Sequence, residues 1–117
     1  MTILQHLLAT VEGDWQLLEE VTDLYFTDAP QQLQRIHHGI ERIDPLEVRE
    51  ASHSLKGATG AFGKDNEVYQ LAFTLEQIGQ SGQLGPARER FLQLTAALEK
   101  MEQSLRDAIA RQKEGKR

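Results

Sequence analysis

The sequence has no cysteine, which excludes a disulfide framework and a thiolate zinc site. No apolar run approaches the roughly 20 residues needed to cross a bilayer, and no signal-peptide pattern opens the chain. The expectation is therefore a soluble cytoplasmic protein without membrane insertion. Basic charge is in deficit, with 13 Lys and Arg against 18 Asp and Glu and a net charge of −5. That balance argues against a dedicated nucleic-acid binder, whose footprint should be basic. The one basic block, residues 111–117, contains a glycine and reads as a frayed, solvated end. No segment sustains a period of two, so no strand is expected.

What is present is a series of helical stripes. The length of 117 residues suits one domain with a single core, placed at 1–112 with a disordered basic tail at 113–117. Ile3, Leu4, Leu7, Leu8 and Val11 form a short amphipathic N-terminal helix ended by Gly13. Asp14 caps a second helix, with Leu17, Leu18, Val21, Leu24 and Tyr25 on its buried side. Asp28-Ala29-Pro30 should break or redirect it, and Leu33, Ile36, Ile40 and Ile43 give the next stripe. Asp44-Pro45, with Glu47 three after the cap, starts another helix that should end near Gly63. Asp65 or Asn66 opens the following one, with stripe Val68, Leu71, Leu75 and Ile78; residues 79–85 form a glycine-rich loop. Pro86 begins the longest helix, carrying Ala87, Phe91, Leu94, Leu98, Met101, Leu105 and Ala108. Each helix has one apolar stripe to bury and short connections to its neighbours. The expected fold is all-α, an up-and-down antiparallel four-helix bundle with additional short N-terminal helices.

One stretch, residues 51–64, departs from this pattern. At 100° per residue, Val48, Ala51, Leu55, Ala58 and Phe62 form its apolar stripe, and His53 falls roughly 180° away. Arg49, Lys56, Gly57, Gly60 and Lys64 share the histidine's side. Two mid-helix glycines cost roughly 0.5–1 kcal/mol each relative to alanine. On a charged face they serve no core packing; they leave room for a partner surface or a phosphoryl group. Lys56, three residues from His53, can reach an anion held on the imidazole. An exposed imidazole offers a neutral ring nitrogen as nucleophile near neutral pH.

Other chemistries fit poorly. Residues 58–64 approach a phosphate loop, but Asp65 stands where that motif needs a hydroxyl, and no strand precedes it. The three-residue glycine spacing is not the dinucleotide fingerprint. His37 and His38 diverge by 100° on a helix, and His6 has no partner four residues away, so no metal site is expected. No nucleophile elbow occurs for a serine hydrolase.

His53, Leu55, Lys56, Gly57, Ala58, Gly60, Phe62 and Gly63 together resemble the signature of the histidine-containing phosphotransfer (HPt) domain. Gly13-Asp14, Leu17-Leu18, the Phe26 region, Asp28-Ala29-Pro30 and Leu75-Glu76 extend the resemblance over most of the chain. It implies that His53 accepts a phosphoryl group from the aspartyl phosphate of a response-regulator receiver and passes it to another receiver. Lys56 would stabilise the phosphoryl oxygens, while Gly57, Gly60, Arg49 and Lys64 would form the docking face. Partners implied are receivers, a hybrid sensor histidine kinase among them, met by a monomer. Magnesium would come with the receiver, so the chain would be a phosphocarrier with no cofactor and no ATP site of its own. Ala61, where many members carry a polar residue, and Lys64, where a small one is common, depart from the pattern. Tyr69 and Phe73 lie off their helix's main stripe, either covering the N-terminal helices or joining the docking surface. Two alternatives stay open: a kinase's phosphoaccepting domain loaded by an ATP-binding module, and a helical adaptor without chemistry.

Overall fold

The computed structural model describes residues 9, 12–60 and 63–115. The expected N-terminal helix at residues 3–11, apart from Ala9, lies outside the described residues, as do Ala61, Phe62 and residues 116–117. Among the described residues there is no strand. Four helices account for the bundle: α1 (Trp15–Glu41), α2 (Pro45–Thr59), α3 (Glu67–Ser81) and α4 (Ala87–Gly115).

Helix α1 begins where the carboxylate of Asp14 accepts the Leu17 N–H at 3.1 Å, meeting one of the orphan donors of the first turn. It then runs through Pro30, so the expected break is absent. Tyr25 and Ala29 before the proline, and Ile36 and Ile40 after it, are buried in one core. Their packing holds the two halves in line against the loss of one N–H. Pro30 itself is exposed, so the ring is turned to solvent rather than into that core. The expected second and third helices are thus one.

The turn into α2 is tight. The N–H of Ile43 donates to the Ile40 carbonyl at 3.2 Å and that of Asp44 to Gly39 at 2.8 Å, the pair of bonds that defines a Schellman ending. Ile43 occupies the left-handed position of that motif, at φ +53°. Having left the helix, it also leaves the buried stripe assigned to it and is 77% exposed. Asp44 caps α2 through the Glu47 N–H at 3.2 Å, with Pro45 in the first turn. The Glu47 carboxylate instead accepts Arg35 Nε at 2.6 Å and ties α1 to α2.

Helix α2 stops at Thr59, not near Gly63. Asn66 explains the early end. Its buried side-chain amide donates to the carbonyls of Thr59 and Gly63, while its oxygen accepts the Tyr69 N–H at 2.8 Å and starts α3. Gly63 turns the chain at φ +98°. Helix α3 continues past the expected loop boundary at Gly79 and ends at Gly82, φ +78°. Gly79 stays helical because it packs face to face with α2: a Cβ there would lie 2.6 Å from the Arg49 nitrogen. Helix α4 runs past the boundary at 112 that the charge pattern suggests.

Each helix packs on the next and α4 closes back on α1, giving the expected up-and-down bundle. Its core unites Leu18, Ile36, Val48, Leu55, Val68, Leu75, Leu94 and Leu105, all at or below 2% exposure. Burying each such side chain is worth roughly 1.5–3 kcal/mol. Helices α1 and α4 are nearly twice as long as α2 and α3, so the short pair braces only part of the long one.

Candidate functional site

His53 lies mid-way along α2 because Val48, Ala51 and Leu55, each fully buried, fix the helix's inward side. Its side chain is 70% exposed, and Nδ1 lies 3.0 Å from Glu76 Oε2 on α3. The same carboxylate takes Lys56 Nζ at 3.0 Å on Oε2 and 3.2 Å on Oε1. One acid on α3 therefore contacts both of these α2 side chains. Burial pushes the Glu76 carboxyl up, but the hydrogen bonds and charges of Lys56 and His53 outweigh it and hold the group below its ordinary value. Glu76 is thus ionised near neutral pH and can only accept hydrogen bonds.

That fixes the imidazole. The contact is a hydrogen bond only if Nδ1 carries the proton, which in the neutral ring leaves the lone pair on Nε2. Lys56 is 18% exposed along its side chain, and its ammonium sits 4.9 Å from the centroid of the Phe73 ring, a cation–π distance. Phe73 therefore stands beside the site and is 37% exposed.

A Cβ added at Gly57 or Gly60 would meet nothing within 4 Å. Both glycines open onto space, as their position opposite the core stripe implies, although Gly60 is the cap of α2 rather than a mid-helix residue. Arg49 joins Arg35, Glu50, Ser54 and Gln80 around an open depression of about 560 Å³ bordered by His53 and Glu76. Lys64 is not on this helical face. Its assignment extends a regular helix to residue 64, and α2 ends at Thr59; the exposed Lys64 belongs to the α2–α3 connection, where its carbonyl accepts Gln70 Nε2 at 2.6 Å.

Sequence reasoning did not place Glu76 in the site. Its contacts cross between helices, and the only signal was the Leu75-Glu76 pair in the resemblance. His37 and His38 are exposed surface residues, and among the described residues no cluster of histidine and acidic side chains could hold a metal.

The arrangement is an exposed imidazole held through Nδ1 by a carboxylate, with Nε2 left open on a helical face. A family model described as the Hpt domain matches residues 20–108. The chain belongs to the Hpt domain family. Histidine phosphotransfer protein B (HptB) from Pseudomonas aeruginosa PAO1 shares the fold of this Hpt domain, with a TM-score of 0.83 at 19% identity over 92% of each chain. No curated protein sequence matches it. As an Hpt domain it is a phosphotransfer intermediate of phosphorelays, a phosphocarrier that works with response-regulator receivers. No described helix is long and apolar enough to cross a membrane.

Proposed function

We propose that Nε2 of His53 accepts a phosphoryl group from a receiver's aspartyl phosphate and hands it to a second receiver. The observation that carries this reading is the exposed imidazole with Nδ1 3.0 Å from Glu76. The Nε2 lone pair attacks phosphorus; the N–P bond forms as the P–O bond to the aspartyl carboxylate breaks, and its electron pair leaves with that carboxylate. No proton need move. Nδ1 keeps its hydrogen, the ring becomes cationic, and ionised Glu76 stabilises the charge that develops. Lys56, held within reach by Glu76 and Phe73, adds positive charge near the phosphoryl oxygens. Gly57 and Gly60 leave the approach clear, and Arg49 lines the rim.

Magnesium belongs to the receiver on this reading, and the chain binds no cofactor and no ATP. The glycine run that approaches a phosphate loop lies at the end of α2, after a helix and not a strand. The chain works as a monomer in the cytoplasm, and its donors include the receiver of a hybrid sensor histidine kinase.

Incubation with a phosphorylated receiver should produce acid-labile, alkali-stable phosphate on the chain, abolished by His53→Gln. A folded chain that takes no phosphate from any of a panel of receivers contradicts the reading. An adaptor without chemistry would bind receivers equally well as His53→Gln and never become modified.

A further inference from the structure

Two exposed apolar side chains at the α1–α2 turn have no task within the bundle. Ile43 is 77% exposed and Leu46 56%. Ile43 also carries strain: at φ +53° it fills the Schellman position that favours glycine, because a Cβ there crowds the following carbonyl. For a β-branched residue this conformation is an outlier. An apolar residue just before a helix cap usually staples onto the fourth helical residue. Here that residue is Val48, which is fully buried while Ile43 stays 77% exposed. Neither packing nor turn chemistry accounts for an isoleucine at this position, and strain retained without local benefit points to a function.

We propose that Ile43 and Leu46 form an apolar foothold for the receiver domain, on the same face of the molecule as His53. This rests on the reading of His53 as the phosphoryl acceptor. Leu46 precedes His53 by seven residues, two helical turns less about 20°, so the two share one face about 10 Å apart along α2. An ordinary protein interface covers about 800 Å² per partner, a disc roughly 16 Å in radius. A receiver centred on His53 therefore overhangs Leu46 and reaches the turn that carries Ile43. The exposed Arg49 and Glu50 lie between the two contacts and supply the polar part of the surface. The matching receiver has an apolar patch about 10 Å from its phosphorylated aspartate.

The test uses Ile43→Gly, Leu46→Gln and the double variant of the full chain. Thermal melting and affinity for receiver domains by calorimetry are read together, with phosphate transfer followed separately. Ile43→Gly should raise the melting midpoint by about 4 °C, since glycine relieves the left-handed strain. The double variant should nevertheless bind the receiver about tenfold more weakly, the value of one buried aliphatic contact. Its apparent KM for transfer should rise to match while the rate at saturation holds. Unchanged affinity in the double variant overturns the proposal, as does a wild-type dimer in light scattering that the double variant abolishes, which would assign the patch to a second copy. If receivers bind but leave no phosphate on the wild type, the acceptor reading fails, and the affinities still decide the foothold.

Discussion

Protonating Glu76 would undo two contacts at once, because a neutral carboxyl holds neither Lys56 by charge nor the imidazole as a pure acceptor. Its folded-state value lies below the ordinary one, so its stabilisation is present above the unfolded carboxylate range and disappears as the pH falls through the lowered value. Glu76→Gln should lose about 1–2 kcal/mol of stability at neutral pH, and the gap from wild type should close in acid. Urea unfolding from about pH 3 to about pH 7, an interval that brackets the ordinary glutamate value, checks the sign; a gap that widens in acid would contradict it. Lys56→Ala tests the other contact. Transfer to His53 should slow roughly tenfold, the kinetic equivalent of about 1.4 kcal/mol, with helicity by circular dichroism unchanged. The position of His53 opposite the core was legible because it follows from the periodicity of one helix. Its partnership with Glu76 was not, since it depends on how far α3 slides along α2.

The glycines separate by element in a way their spacing does not reveal. Gly57 opens onto solvent, so Gly57→Ala should stabilise α2 by about 0.5–1 kcal/mol, while a bulky residue there should block receivers without loss of helicity. Gly79→Ala should have the opposite sign and cost about 1–3 kcal/mol, because its Cβ would lie 2.6 Å from the Arg49 nitrogen. Paired chemical denaturation curves give both values; a stabilised Gly79→Ala would remove the close-packing account. In the sequence Gly79 reads as the start of a loop, since glycine marks loops and close helix contacts alike. The caps of α1 and α2 were legible at Asp14 and Asp44 because capping is local. The end of α2 was not, because Asn66 supplies it from seven residues beyond Thr59.

Across the whole molecule, the apolar stripes specified the number of packed faces and hence the bundle, but not the continuity of α1. Pro30 is a local stop signal overruled by burial on both sides, so its cost persists in the folded state. Pro30→Ala should raise stability by about 1–3 kcal/mol, measured by urea unfolding, with transfer to His53 unaffected. The approach of Gly79 to Arg49 also bears on how such a molecule can diversify. The contact lies one turn from both Glu76 and His53 and is made against main chain, so backbone packing helps set the register of the His53–Glu76 pair. Partner choice can then be rewritten on the exposed face around His53, residue by residue, while the transfer chemistry beneath it is inherited intact.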